Sequence, residues 1–410
     1  MHDRRSFLAG SAVTAAVSRS AMGANDRVQM GVIGAGTRGA YMQGVLGGNP
    51  DCAMIAVCDV YKPNREKVAE KTGGRVATFV DYRKLLERKD IDAVLIATPD
   101  HWHGPMLVDA CAAGKDVYCE KPLTNQIEMG WKMIEAVARH NRVAQIGLQQ
   151  RHWKQFVECA ELVRSGKFGS IYHAGLHWDG AYTRPPEQPQ QPPEDLDWEL
   201  FQGPAERRPY IPSRHRRWRG YYDYAGGILT DQGVHIADVA RWYLNAQAPL
   251  TASGSGQYVN VECPEKDQLP DAIAVSWQYE KFVMSFTNRS MPNPDYQDQG
   301  NYFIGTKGAI HVNRTGYNYN AAAPRPGRPL VPGQQAGPDF DPVKVPVTWK
   351  ESNIANQAHA REFLDCVKNR NKPTADVETG FYSTLPLLMG VMAVRYGRTF
   401  AWDGKAAKPV

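Results

Sequence analysis

The segment VQMGVIGAGTRGAYMQG, which begins at Val28, constrains the fold more than any other part of the chain. Val28 to Ile33 is a short apolar run with strand character, Gly34, Gly36 and Gly39 follow as GxGxxG, and a helix-like pattern begins at Thr37. A strand that turns on glycines straight into a helix presents free backbone amides to whatever lies on the turn, an arrangement that suits a pyrophosphate. The glycines alone are a weak signal, and Asp59 strengthens it. It ends the next apolar segment 20 residues after Gly39, where a carboxylate can accept hydrogen bonds from an adenosine ribose diol. That carboxylate would repel a 2′-phosphate, so NAD is expected, with NADP left open by the nearby Lys62 and Arg65.

The alternation of strand and helix continues. Ala53 to Val60 is followed by a helix from Asn64 to Thr72, a short strand near Ala77, a helix at Tyr82 to Arg88 and the apolar strand Ala93 to Thr98. HGPMLVDACAAG, DVYCEK, a helix near Ile127 to His140 and the strand RVAQIGL complete the rhythm. It predicts an α/β fold, a doubly wound parallel sheet over residues 27–150. Residues 151–405 read differently. A helix at Phe156 to Ser165 leads to SIYHAGLHW, DAIAVSWQY, KFVMSFTN and NYFIGTKGAIHV, the last a hairpin between Gly305 and Gly308, and together these predict mostly antiparallel strands. Helical patterns close the chain at Ala355 to Lys368 and Thr379 to Arg398. Two Pro-rich stretches interrupt this part, Arg184 to Arg219 and about Ala321 to Pro346. The first is expected to be a solvated loop or an arm for association rather than a substrate clamp. The alternative is that its Trp- and Arg-rich part around Arg214 to Trp218 offers stacking faces and donors to a pocket between the domains.

Candidate chemistry falls at the ends of the predicted parallel strands, where open sheets bind ligands. In TPDHWH, after Thr98 and Pro99, His101 and His103 compete to line the nicotinamide end; the plainer reading of either is a locally hydrogen-bonded histidine. In VYCEKPLT, Lys121 follows Glu120 just past a buried strand. It either loses charge by desolvation or donates a hydrogen bond to a substrate hydroxyl, and a cis bond at Pro122 would aim it into the cleft. In YAGGILTDQGVHIADVARWYL, Asp231 and His235 are spaced i, i+4, on one face of a helix whose apolar side carries Ile236, Val239 and Trp242. A histidine there is a proton acceptor near neutral pH that an acidic neighbour can orient. The plainer alternative is an Asp on helix amides beside a hydrogen-bonded histidine.

The first 25 residues stand apart. Arg4 and Arg5 precede Ser6, Phe7 and Leu8, a weakly apolar run follows, and Ala21, Gly23 and Ala24 are small enough for a peptidase. This resembles a twin-arginine signal, so a periplasmic or secreted location is expected. No later run approaches the ~20 apolar residues of a membrane span. The formal charge of +5 is small for 410 residues, and nucleic acid is not an expected partner. The seven cysteines (52, 58, 111, 119, 159, 263, 366) never form CxxC, so neither a disulfide framework nor a zinc site is expected, nor any other metal.

Taken together, GxGxxG, Asp59, ATPDHWH, AGKDVYCEKPLT and the later Gly-Gly, Asp231 and His235 group resemble the Gfo/Idh/MocA oxidoreductases. The resemblance covers essentially all of residues 27–405, including HAREFLDCVKNRNKPTADVETG and the closing GRTFAWD. It implies a Rossmann domain followed by an α/β domain with an open mixed sheet, and association as a homo-oligomer, dimer or tetramer. It further implies that Gly34, Gly36, Thr37, Arg38, Gly39, Asp59, Thr98, Pro99, His103, Glu120 and Lys121 meet the dinucleotide, and that Lys121, Asp231 and His235 form the catalytic group. The chemistry implied is oxidation of a sugar, polyol or glycoside hydroxyl. His235 takes the proton, Lys121 hydrogen-bonds the oxygen, Asp231 holds the group together and the hydride passes to nicotinamide. The alternatives are an NAD-dependent glycosidase acting by transient sugar oxidation, and a nucleotide-loaded binding protein without turnover. Phe381 departs from relatives that carry histidine after the glycine. An exported enzyme of this kind would have to keep its dinucleotide and regenerate it in place.

Overall fold

The computed structural model describes residues 27–261, 267–288, 299–322 and 342–410. The twin-arginine-like segment, Cys263 and most of the second Pro-rich stretch lie outside them. The first sheet comprises β1 (Val28–Ile33), β2 (Cys52–Cys58), β3 (Ala77–Phe79), β4 (Ala93–Ile96), β5 (Asp116–Cys119) and β6 (Ala144–Ile146). Their order is β3-β2-β1-β4-β5-β6, with every pairing parallel. Every residue of β4 and β5 is buried, which is why they read as continuous apolar runs: helices cover both faces. The strand order reverses at β1, so a crevice opens beyond the carboxyl ends of β1 and β4.

The second sheet holds β7 (Ile171–His177), β8 (Thr251–Gln257), β9 (Ala272–Gln278), β10 (Val283–Thr287), β11 (Gly300–Gly305), β12 (Gly308–Asn313), β13 (Gly316–Ala321), β14 (Val343–Pro346), β15 (Phe400–Trp402) and β16 (Ala407–Pro409). Their order is β14-β13-β12-β11-β7-β10-β9-β8-β15-β16. Only β7 and β10 pair in parallel among them, so the sheet is mixed and mostly antiparallel. β11 and β12 form the expected hairpin, with Ile304 opposite Ala309. β8 reads TASGSGQ and gives no apolar alternation. Its small residues let the helix Val377–Tyr396 lie close: a Cβ at Gly254 would stand 3.1 Å from both Val275 and Val394. That helix is long and apolar enough to cross a membrane by length and composition alone, but it is a core helix with Phe381, Leu385, Leu387 and Met389 fully buried.

Two segments pack where local pattern gave no hint. The helix Trp349–Asn369, expected to close the second domain, returns to the first. Ala360, Phe363 and Leu364 join Met30, Val32, Met42 and Tyr118 in one core cluster. Arg361 makes bonds of 2.7 and 2.9 Å to Asp51, Lys368 adds one of 2.5 Å, and Arg370 pairs with Asp116. Of the Pro-rich stretch Arg184 to Arg219, the part up to Asp195 is mostly exposed loop, but the part from Leu196 onward is not a solvated arm. Trp198, Phe201, Tyr210 and Ile211 build a small core with Tyr221 and Tyr224, and Arg214 is buried against Asp223 and Asp267. This strap lies against the nucleotide domain. The Lys62 amide donates to Asp195 O (2.9 Å), the Asp197 amide to Val60 O (3.0 Å), and Trp102 Nε1 to Phe201 O (3.0 Å). The six described cysteines are buried and free.

Candidate active site

A cleft of about 850 Å³ runs along the carboxyl ends of β1, β4 and β5 and is walled on the far side by the second domain. At one end the three glycines do different work. Gly34 has φ +87°, and a Cβ there would stand 2.7 Å from the Ala97 carbonyl. A Cβ at Gly39 would come within 1.8 Å of Gly34 O, so this residue lets the helix Thr37–Gly47 seat on the turn. Gly36 is different: its Cβ would meet nothing nearer than Asn64 Nδ2 at 4.0 Å, in the cleft itself. A missing side chain facing open space, at an N-cap without a side-chain cap, is a backbone cradle for an anionic group. Asp59 borders the same space. Its carboxylate accepts from the amides of Ala35 and Tyr61, each at 2.8 Å, and from Asn64 Nδ2 at 3.1 Å, which leaves lone-pair capacity for a diol. These residues fit a dinucleotide.

Thr37, Arg38, Thr98, Pro99, Glu120, Lys121, Asp231 and His235 also line the cleft. Arg38 Nε bonds Glu120 Oε1 at 2.7 Å, joining the glycine-turn helix to the turn after β5. The Lys121–Pro122 bond is cis. Lys121 Nζ donates to the backbone oxygen and to Oδ1 of Asp231, both at 2.7 Å. The Asp231 carboxylate also accepts from Tyr182 Oη (2.5 Å) and Gln232 Nε2 (3.1 Å), and Arg219 Nε lies 3.1 Å away. Burial alone would raise its pKa. The Lys121 and Arg219 charges outweigh burial and hold the carboxyl well below its ordinary range.

The single helix expected for Asp231 and His235 is broken. Asp231 ends the helix Gly227–Asp231, Gln232 intervenes, and His235 sits in the first turn of Gly233–Leu244. No hydrogen bond joins the Asp231 carboxylate to His235 among the described residues, so the aspartate holds Lys121 and does not orient the imidazole. His235 is 3% exposed, and its Nδ1 has no hydrogen-bond partner. Burial, with the Lys121 charge, pushes its pKa well down, so the ring is held neutral, and these same surroundings weaken its hold on a proton.

Two expected residues do not reach the cleft. Gly39 acts behind it, through packing. His103 has Nδ1 2.7 Å from Pro122 O and Nε2 3.0 Å from Thr98 O, so it ties the two site-bearing turns together instead of meeting a ligand. His101 Nε2 is held 3.0 Å from Phe201 O and anchors the strap. Phe381 packs on Trp131, ring centroids 4.5 Å apart, in the core and away from the cleft. The sequence reading missed Asp100, Gln149, Tyr182, Arg219 and Arg314, all of which line the cleft. Asp100 is buried with Oδ2 unpartnered, and burial pushes its carboxyl up to about 8 against the nearby Arg219 and Lys121 charges. Its place beside two histidines in TPDHWH drew attention to the wrong neighbours, whereas Tyr182, Arg219 and Arg314 carry no local motif at all.

Residues 28–148 match the family model described as the oxidoreductase family NAD-binding Rossmann fold, of the Gfo/Idh/MocA group. Residues 148–317 match that family's C-terminal alpha/beta domain. A scyllo-inositol 2-dehydrogenase (NAD(+)) of Bacillus subtilis is 25% identical over 386 residues, covering 93% of this chain and 98% of that protein. A glycosyl hydrolase family 109 protein of Shewanella sp. ANA-3 is 30% identical over 214 residues, but the match spans only 48% of this chain and 39% of that protein. Among solved structures, the WlbA dehydrogenase of Bordetella pertussis, crystallised with NADH and UDP-GlcNAcA, superposes with a TM-score of 0.66 at 17% identity. That superposition covers 92% of this chain and 99% of the other.

Proposed function

Since the chain belongs to the Gfo/Idh/MocA oxidoreductase family and carries its NAD-binding Rossmann domain, we propose that it oxidises a carbohydrate or polyol hydroxyl by hydride transfer. The observation that carries this reading is the meeting of Lys121, Asp231 and His235 in the cleft that the glycine turn and Asp59 also line. Bound NAD supplies the hydride acceptor. Of the three N–H bonds on Lys121 Nζ, two are taken by Asp231. The third is left for a substrate oxygen, where a fixed positive charge steadies the alkoxide-like transition state. His235, neutral and lining the cleft, takes the hydroxyl proton. Asp231 is too acidic and too fully bonded to serve as the base; it locks Lys121 in place.

NAD fits better than NADP. Asp59 faces the ribose end, Arg65 is drawn to the Asp59 backbone carbonyl, and Lys62 lies 3.8 Å from both Glu66 and Asp195. Both cations already have partners of their own, and the carboxylate of Asp59 opposes a 2′-phosphate. Kinship with an inositol dehydrogenase over nearly the whole chain supports a sugar or polyol substrate. We further propose export through the N-terminal segment, with the strap over the nucleotide domain retaining NAD, and self-association through the second sheet. Lys121→Ala and His235→Ala should abolish turnover on sugars and polyols while NAD content, read by mass spectrometry after denaturation, stays at the wild-type level. Undiminished turnover in both would remove the catalytic assignment.

A further inference from the structure

Away from the cleft, His152, His359 and Glu362 meet where the helix Trp349–Asn369 packs against the end of β6. We propose that they form a site for a divalent cation of zinc-like ligand preference. Each residue offers one ligand atom, and the three atoms lie within 4.8 Å of one another. His359 is fully buried and its Nε2 stands 2.9 Å from Ile146 O. A carbonyl only accepts, so Nε2 carries the proton of the neutral ring and Nδ1 presents a bare lone pair. That lone pair faces His152 Nδ1 at 3.1 Å. On the other side of His152, Nε2 lies 3.6 Å from Glu362 Oε2, which is itself 4.0 Å from His359 Nδ1.

Without an ion, one contact in the cluster is unfavourable. A proton on His152 Nδ1 satisfies His359 but turns the bare Nε2 toward a carboxylate. A divalent cation resolves the conflict, because it takes a lone pair from each ring and balances the carboxylate charge. Two nitrogens bound to one tetrahedral ion at about 2.0 Å are about 3.3 Å apart, close to the spacing here.

The surroundings are those of a metal ligand set. The His359 N–H to carbonyl bond is the outer contact that fixes tautomer and ring angle in metal-binding histidines. Glu362 is steadied by the Thr374 amide and hydroxyl, both at 3.0 Å. The His152 and Glu362 side chains are 20% and 17% exposed, which leaves a path for entry and room for water as a fourth ligand. Two imidazoles and one carboxylate suit zinc(II) or cobalt(II) better than calcium or magnesium. The ion would pin the turn Gln149–His152, whose Gln149 reaches the cleft, to the helix that completes the nucleotide domain. Spacing in the sequence could not announce it, since 207 residues separate the two histidines and no cysteine takes part.

The test uses the untagged full chain, stripped with chelator and titrated with zinc(II) by calorimetry and with cobalt(II) by visible absorption. The expected result is one ion per chain in both titrations. His152→Gln and Glu362→Gln, both at partly exposed positions, should each weaken binding by more than the roughly tenfold to hundredfold lost with an outer-shell partner while NAD affinity and the metal-free melting temperature hold. Absence of saturable binding to the wild-type protein, or undiminished binding in both variants, overturns the site.

Discussion

Gly36→Ala separates the fold of the glycine turn from its purpose. The residue sits at φ −63°, ψ −170°, extended backbone that alanine accepts, and the added methyl meets nothing within 4 Å beyond Asn64 Nδ2 at that limit. Losing glycine at an N-cap costs about 0.5–1 kcal/mol, and the stiffer unfolded chain returns about 0.4–1 kcal/mol. The net effect is under about 1 kcal/mol, so the melting temperature of the nucleotide-free protein should move by no more than about 2–4 °C. Binding is another matter. The methyl occupies the surface where a pyrophosphate must touch the backbone, and one displaced charge-assisted amide bond is worth about 1.5–3 kcal/mol. The Kd for NAD should rise about ten- to a hundredfold. Gly39→Ala is the contrasting control: its Cβ lands 1.8 Å from Gly34 O, so stability and affinity should fall together. Differential scanning fluorimetry and NAD calorimetry on the three proteins decide the matter. Gly36→Ala binding NAD as tightly as wild type, or melting as low as Gly39→Ala, refutes the division of labour among the glycines.

Other expectations concern charge and the strap. The Asp100 carboxyl is raised by burial to about 8, so between about pH 4, where an unfolded Asp ionises, and about pH 8 the folded state holds the extra proton. Stability contributed by that group is full at the acid end and lost as pH rises through this window; Asp100→Asn should flatten that part of the melting profile, and an unchanged profile would contradict it. Asp51 is shifted the other way by its bonds to Arg361 and Lys368, against the effect of burial. Its contribution is present above the ordinary carboxylate range and fades on acidification. Asp51→Asn should cost about 1–2 kcal/mol, allowing for screening of its part-exposed partners, and should speed amide exchange in the helix Trp349–Asn369 without changing NAD affinity. Trp198→Ala removes a ring stacked on Phe201 at 5.1 Å and should accelerate NAD release in stopped-flow fluorescence; an unaltered rate would mean that the strap has no hold on the nucleotide.

What could be read in the sequence was what local periodicity encodes. The central strands β1, β4 and β5 are mostly apolar because they are buried, and Asp59 stands out because one spacing rule links it to the glycine turn. The hairpin at β11 and β12 shows through the same alternation. Elements whose reason lies elsewhere in the chain stayed hidden. β8 is Gly- and Ser-rich because a distant helix presses on it, and Phe363 looks like part of a generic amphipathic helix until Tyr118 is found beside it, rings 5.7 Å apart. The Asp231–His235 spacing suggested one helix because i, i+4 says nothing about a break at Gln232. His103 resembled a ligand-facing residue, yet both its ring nitrogens lie against carbonyl oxygens, to only one of which a neutral ring can donate. Tyr182 and Arg219 belong to the site only because the second domain closes over the first, and Asp100 is remarkable only for a buried environment that no motif records.

The central claim is that His235 and Lys121 drive hydride transfer from a carbon-bound hydroxyl to NAD. The most direct test mixes NAD-loaded protein with sugars, polyols and glycosides that carry deuterium on their alcohol carbons, then reads the released nicotinamide by mass spectrometry. Wild-type protein should acquire one deuterium from at least one compound, with His235→Asn and Lys121→Met acquiring none. Label in the nicotinamide of both variants at the wild-type rate, or glycoside cleavage by wild type with no label transferred, would contradict it.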